Sequence, residues 1–146
     1  MANRALLSRD VLLDLLRLYE ALMADVSALL KEHGVTAPQY NVLRILRGAG
    51  PDGLTGTGLA GAMITRVPDV TRLVDRLEKV GLVRRERCRE DRRVVHVRIE
   101  PAGLALLARL DAPVLALHRD SLRGMPSRDL ETLDGLLQRA LATRRN

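Results

Sequence analysis

Apolar residues recur at alternating spacings of three and four along the first part of the chain. This spacing is typical of an amphipathic helix, so residues 8–33 are predicted to form one long helix with Ser8 as its N-cap. Gly34 follows at the position where a helix commonly ends with a positive φ. The apolar stripe is longer than a small isolated domain requires, which indicates a partner helix; it contains Leu12, Leu15, Tyr19, Leu22, Val26 and Leu29.

The C-terminal part of the chain repeats this rhythm. A long helix is predicted to begin at Pro101 and to end before Gly124 and Pro126, and a last helix is predicted to begin after Ser127 as its cap. Their apolar stripes are Leu107, Leu110, Val114 and Leu117 in the first, and Leu130, Leu133, Leu137 and Ala140 in the second. These stripes also indicate helix partners.

Two further helices are predicted after the long first helix. Thr36 and Gln39 have the spacing of a capping box, which predicts a helix that begins there. The glycine-rich segment at residues 48–53 is expected to break it. Thr55 is predicted to cap a short helix that follows.

The chain then changes from helical to strand periodicity. A helix is predicted from about residue 67 to residue 80, with Pro68 in its first turn, where a missing N–H has no cost. Alternating apolar residues predict strands at residues 82–87 and 94–99. Residues 88–92 form the charged turn between them.

The order of these elements is that of a winged helix-turn-helix. The predicted fold class is therefore mainly α with a small β-wing, flanked by long N- and C-terminal helices. Residues 66–98 contain eleven Arg or Lys and six acidic residues, a net +5 out of the chain's +6. A positive field concentrated on a compact motif is typical of a nucleic-acid-binding protein.

Composition excludes several other classes. Aromatic content is 1%, which predicts a core of Leu, Val and Ala and argues against single-strand binding, because that depends on bases stacking on aromatic rings. The single cysteine excludes an internal disulfide and a cysteine-based zinc site. No apolar run approaches ~20 residues and no signal pattern opens the chain, so a cytoplasmic protein without membrane association is expected.

Catalysis is not expected either. The sequence has no Ser-His-Asp order, no glycine-rich phosphate loop and no HExxH pattern, and its three histidines lie far apart: His33, His96 and His118. We therefore expect neither an enzyme nor a bound metal or cofactor.

The segment VTRLVDRLEKVGLVRR at residues 70–85, followed by Asp91-x-Arg93, Ile99 and Gly103, resembles the MarR family of bacterial transcriptional regulators. The similarity covers nearly the whole chain. It implies a single domain over residues 1–146, with a DNA-binding lobe at about 36–99 and dimerisation helices at 8–34 and 101–144. It also implies an obligate homodimer that binds a pseudo-palindromic double-stranded operator, usually as a repressor.

The fourth helix would then be the recognition helix, with its first turn directed at base edges in the major groove. Arg72 could bind either guanine or a phosphate, and Asp69 could either accept from a cytosine amine or complement the helix dipole. Asp75 is expected to pair with a nearby arginine. The candidate DNA contacts here are Arg66, Val67, Pro68, Asp69, Thr71, Arg72 and Arg76.

The wing supplies the remaining candidates. The resemblance implies that Arg93 enters the minor groove and that Asp91 orients it, and a narrow A·T-rich minor groove does attract arginine. The alternative is a charged turn that is simply solvated. Phosphate contacts are expected from Arg84, Arg85, Arg87, Arg89 and Arg92.

The resemblance also implies a mode of regulation. Family members often release DNA when small, often phenolic, anions bind beside the dimerisation helices, and the candidate ligand residues are Tyr40, His118 and Tyr19. Alternatively, both tyrosines fill an aromatic-poor core. Two further alternatives are a regulator or architectural protein without a ligand response, and a redox response through Cys88, whose neighbouring arginines would favour a thiolate. The other interpretation of Cys88 is an incidental thiol on a turn.

Overall fold

The computed structural model describes residues 3–64 and 68–144. Within these residues six α-helices precede, interrupt and follow a small antiparallel sheet, so the predicted fold class is confirmed. Two compact units are Met1–Val114 and Leu115–Asn146. The elements are α1 (Arg4–Glu32), α2 (Ala37–Ala49), a 3₁₀ turn (Gly50–Asp52), β1 (Leu54–Thr55), α3 (Gly56–Ala62), α4 (Val70–Lys79), β2 (Val83–Arg87), β3 (Val95–Ile99), α5 (Pro101–Ser121) and α6 (Ser127–Ala142).

The first helix begins at Arg4, earlier than the predicted start at Ser8. Asn3 caps it by accepting a hydrogen bond from the Ala5 N–H, while the Ser8 hydroxyl lies inside the helix and donates to the Arg4 carbonyl. The prediction of Ser8 as N-cap is therefore wrong, because good helix formers precede Ser8 and Asn3 offers them a cap. The other end is confirmed, since Gly34 follows the helix with a φ of 75°.

The second helix has the predicted capping box. The Thr36 hydroxyl accepts from the Gln39 N–H at 3.3 Å, and the Gln39 side-chain oxygen accepts from the Thr36 N–H at 2.9 Å. The helix nevertheless continues through Gly48 to Ala49, two residues beyond the predicted break. Glycine inside a helix costs only ~1 kcal/mol, so the helix ends instead at Gly50, which has a φ of 72°.

A third strand that was not predicted completes the sheet. Leu54 pairs with Val97 and Thr55 with His96, so the strand order is β1-β3-β2. The Thr55 hydroxyl also caps α3 as predicted, accepting from the Gly58 N–H at 3.1 Å. Because β1 has only two residues, it shows no alternation that a sequence pattern could detect.

The core of the first unit consists of leucine and valine, as the composition predicted. Its fully buried residues include Leu30, Val42, Leu43, Leu46, Leu59, Leu77, Leu107 and Leu110.

At the base of the wing, the start of α5 passes very close to the residues at the ends of the two wing strands. A Cβ on Gly103 would lie 2.5 Å from the Leu82 carbonyl oxygen and 2.8 Å from Ile99 Cγ1, so only glycine fits there without a shift.

The last two helices follow the predicted order. The fifth helix begins at Pro101 and runs through Pro113 to Ser121. The prediction of Ser127 as the next cap is wrong, because Ser127 is already the first residue of α6 and Pro126 precedes it without a side-chain cap. Among the described residues, no helix is both long and apolar enough to cross a membrane.

Candidate nucleic-acid interface

Helix α4 begins at Val70, later than predicted. Asp69 is its N-cap, and the Asp69 carboxylate accepts from the Arg72 N–H at 2.9 Å. Pro68 therefore lies before the helix and not in its first turn, because the carboxylate captures the N–H three residues ahead and fixes the start there. Two candidates at this end, Arg66 and Val67, lie outside the described residues.

The two faces of α4 differ in burial and charge. Leu73, Val74 and Leu77 are buried against the core. The other face exposes Thr71, Arg72, Asp75, Arg76 and Lys79 to solvent. The Arg72 side chain is 74% exposed, and its Nε lies 3.6 Å from the Asp69 carboxylate. This exposed and largely basic face is suited to a groove of DNA.

Arg85 on β2 makes polar contacts with three residues of α4. Its guanidinium lies 2.6 Å from the Asp75 carboxylate and 2.8 Å from that of Glu78, and it donates to the Thr71 carbonyl. Burial alone would lower the pKa of Arg85, but the hydrogen bonds to the two carboxylates outweigh it and raise the pKa. The expectation that Asp75 pairs with an arginine is confirmed.

Arg84, the preceding residue, also has intramolecular partners. It pairs with Glu86 at 2.9 Å and with Glu100 at 2.7 Å. Phosphate contacts by Arg84 and Arg85 stay predictions, and both would compete with carboxylates. In the part of the chain that the structure describes, the other candidate cations form no ion pair: Arg76, Arg87, Arg89, Arg92 and Arg93.

The wing tip is shaped by Asp91. Its carboxylate accepts from the Arg93 N–H at 2.9 Å, and its carbonyl accepts from the Val94 N–H at 3.0 Å. The Cys88 N–H closes the loop by donating to the Val94 carbonyl at 2.8 Å. Asp91 therefore holds the backbone of Arg93 in a tight turn, and the exposed Arg93 side chain projects from a fixed point.

Cys88 follows β2 at the start of the wing turn. It is half-buried beside an open depression of about 310 Å³ that Glu86, His96 and Arg98 also line. The His96 Nδ1 lies 3.0 Å from the Asp52 carbonyl, which ties β3 to the 3₁₀ turn. No sequence signal could have placed Asp52 there, since the contact spans 44 residues.

The candidate ligand residues fall in different places. Tyr40 is half-buried on α2, where burial raises its pKa above 10.0 and Arg44 lies 5.8 Å from its ring centroid. Tyr19 on α1 is 47% exposed in the single chain. The alternative that its ring fills the core of that chain is therefore wrong. His118 is exposed and belongs to the second unit, whereas the tyrosines belong to the first.

An ion pair links α2 to α5, and its α2 member, Arg47, lies two turns after Tyr40. Arg47 and Asp111 form two parallel hydrogen bonds of 2.9 and 3.0 Å. The hydrogen bond from Arg47 is the main reason that the pKa of Asp111 is lowered, and it also raises the pKa of Arg47. Sequence reasoning missed this pair, because its members are 64 residues apart.

A helix with one buried apolar face and one exposed basic face, joined to a wing with an arginine at its tip, defines a winged helix-turn-helix DNA-binding protein. The sequence profile of the MarR family matches residues 35–95. A MarR transcription factor from Planctomyces limnophilus has 37% sequence identity and a TM-score of 0.71, over 89% of this chain and 94% of that one. The chain therefore belongs to the MarR family, whose members are transcription regulators and not enzymes.

Two further similarities agree with DNA binding. A mutant MarR from E. coli, solved in complex with operator DNA, has 25% identity and a TM-score of 0.78 over 87% of this chain and 90% of that one. A Thauera aromatica protein assigned to transcriptional regulation of the hcr operon is 32% identical over 106 residues, 73% of this chain. That match spans 63% of the relative's length.

Proposed function

We propose that the protein acts as a homodimer on a pseudo-palindromic operator, represses transcription there, and releases the DNA when a small aromatic anion binds. The observation that carries the proposal is the exposed apolar face on the N-terminal half of α1. The alternative without a ligand response shares the dimer and the operator.

The face of α1 supports a second copy as the partner. Leu12, Leu16 and Tyr19 are 54%, 61% and 47% exposed, although their spacing continues the stripe formed by Val26 and Leu30, which pack in the core. Fully burying one such side chain contributes about 1.5–3 kcal/mol, so covering this face favours association. A symmetric dimer covers it with the same surface of the partner.

The operator follows from this symmetry. Two copies of α4 related by a two-fold axis require two half-sites about one helical turn, ~34–36 Å, apart. The exposed Arg72 and Arg76 would face the major groove, and Arg93 at the wing tip would face the adjacent minor groove. Bound at a promoter, such a dimer would block transcription.

A cationic stretch of α2 supports an anionic ligand. The Tyr40 hydroxyl, like any phenol at neutral pH, is protonated and can donate a hydrogen bond, and burial raises its pKa further. Arg44 lies over its ring, and Arg47 follows one turn later. A carboxylate on an aromatic ring would match this combination of donors, and it would compete with Asp111 for Arg47. Tyr19 and His118 stay predictions as ligand residues.

Selection of bound sequences from a random DNA pool tests the operator. We expect an inverted repeat, and inserting about five base pairs between its halves should abolish tight binding, because the second lobe would then face the wrong side of the duplex. Unchanged affinity after that insertion would contradict the symmetric dimer.

The ligand is tested on the same operator with benzoate and its hydroxylated derivatives. Release of the DNA by one of them, and resistance to release in a Tyr40→Phe variant, would support the ligand site. If no aromatic acid weakens binding, the protein is a regulator without this response, and the proposals for dimer and operator stand independently.

A further inference from the structure

Arg85 contacts three positions along one side of the recognition helix. Its guanidinium bonds to the Thr71 carbonyl, the Asp75 carboxylate and the Glu78 carboxylate, at 3.2, 2.6 and 2.8 Å. These three positions are spaced by four and three residues, so they lie above one another on one helix face. The two terminal nitrogens of Arg85 thus link β2 to one side of α4.

The backbone of Arg85 takes part in the same contact. Its N–H donates to one Glu78 oxygen at 2.8 Å, while its guanidinium binds the other oxygen. Since β2 is an edge strand in the order β1-β3-β2, the outward N–H groups of this strand have no strand neighbour on that side. Glu78 therefore joins both the main chain and the side chain of β2 to α4.

This arrangement differs from an ordinary surface ion pair. Exposed pairs contribute little, because two long side chains must be ordered in a high-dielectric medium. The Arg85 side chain is only 28% exposed, and its fork donates hydrogen bonds to the Glu78 carboxylate and the Thr71 carbonyl from two different nitrogens while it forms an ion pair with Asp75. A lysine could supply the charge but not this geometry.

The strand that carries Arg85 leads directly into the wing. Residues 88–94 form the tip, in which Asp91 fixes the backbone of Arg93. Arg85 therefore connects the two parts of the lobe that would touch DNA, α4 and the wing, without itself having to touch DNA.

We infer that Arg85 is a positioning residue that holds α4 and the wing at one spacing, so that the major-groove and minor-groove contacts fall a fixed number of base pairs apart. The inference rests on the proposed DNA-binding mode. It also accounts for the two acidic residues on α4, since Arg85 offsets part of the negative charge with which Asp75 and Glu78 would repel phosphates.

The experiment uses operators in which an A·T-rich flank is moved by one base pair, about 3.4 Å along the duplex, relative to the sequence that α4 contacts. The wild-type dimer should lose roughly tenfold in affinity, the usual effect of one lost base-pair contact. In Arg85→Lys the wing is no longer held against α4 and can shift with the A·T-rich flank. The loss of affinity on moving the flank should therefore shrink to about twofold, even if the overall affinity of the variant is lower.

Arg98→Lys is the matched control. It changes an arginine of the neighbouring strand β3 that is not a candidate DNA contact and whose partner Glu86 lies outside α4. This variant should keep the tenfold effect of moving the flank. Urea unfolding of each variant separates loss of stability from loss of positioning, because a purely structural role would lower the unfolding midpoint without changing the spacing effect.

The outcomes distinguish the inference from the function on which it rests. If Arg85→Lys keeps the wild-type spacing effect, Arg85 does not position the wing, and the proposed DNA-binding mode is unaffected. If the wild type shows no spacing effect, the wing contact itself is wrong and the inference falls with it. Should Arg85→Lys fail to fold, Glu78→Gln takes its place, because the amide oxygen still accepts from the Arg85 N–H while the ion pair is lost.

Discussion

Arg72 and Arg93 are both exposed arginines, but they are expected to make different contacts. Arg72 stands on the exposed face of α4, near its N-terminus. If it binds a base with both ends of its fork, Arg72→Ala should cost ~1–3 kcal/mol and relax the preference at one position per half-site. Binding measured on a set of single-base operator variants checks this. Equal weakening on every sequence would instead identify a phosphate contact.

The effect of Arg93→Ala on operator affinity should depend on the flanking sequence. Arg93 projects from a turn that Asp91 fixes, and a narrow A·T-rich minor groove has the negative potential that attracts it. The variant should therefore weaken binding most on A·T-rich flanks. Titrations on A·T-flanked and G·C-flanked operators measure the difference, with Arg109→Ala, an exposed cation of α5, as the control for charge. Equal losses of affinity on both operators would show that Arg93 contacts phosphates and does not recognise the minor groove.

Gly103 is required by close packing at the base of the wing. In Gly103→Ala the new methyl group would meet the Leu82 carbonyl and the Ile99 side chain, so we expect a loss of about 1–3 kcal/mol in the free energy of unfolding. Gly135→Ala in α6 is the control, since nothing lies within 4 Å of its Cβ position. That substitution should stabilise the helix by about 0.5–1 kcal/mol. Urea unfolding compares them, and equal midpoints would refute the packing argument.

The contact between α2 and α5 has an expected dependence on pH. The hydrogen bond from Arg47 lowers the pKa of Asp111 below its ordinary 3.8. A lowered pKa means that the ionised carboxylate stabilises the fold above about pH 4, and that this contribution is lost as the pH falls through the lower folded value. Urea unfolding followed from pH 7 to pH 2 should therefore show less acid destabilisation in Asp111→Asn than in the wild type.

Asp134→Asn is the control for that measurement. Asp134 is an exposed carboxylate of α6, and no ion pair involves it among the described residues. Its substitution should leave the acid limb of the stability profile as in the wild type. If Asp111→Asn behaves in the same way, the bridge between α2 and α5 contributes nothing to the stability of the fold.

The proposed association of two copies is a property of the whole molecule, and binding to a symmetric operator would depend on it. Because Leu16 is 61% exposed in the single chain, Leu16→Glu should leave the core intact while placing a charge in the dimer interface. Sedimentation at micromolar concentration should show a monomer, and operator binding should be lost. Ala24→Glu, an exposed position on another face of α1, is the control. A dimer that persists in Leu16→Glu would exclude this face as the interface.

Local signals were sufficient for much of the fold. The capping box of Thr36 and Gln39, the Thr55 cap and the positive φ of Gly34 were predictable, because each involves residues at most three apart. The two faces of α4 were predictable from a periodicity of 3.6 residues. These features, together with the basic charge of the central segment, indicated a DNA-binding winged helix before any contact was known.

Contacts between distant residues decided the rest. Only the folded chain pairs Leu54 with Val97, brings Asp52 to His96 and joins Arg47 to Asp111. Arg85 shows the difference best. Its sequence neighbourhood indicated a phosphate contact, since a run of arginines is locally just a positive charge. The fold places two carboxylates of α4 against it, because helix and strand pack on the same core, and this packing gives the arginine its structural partners.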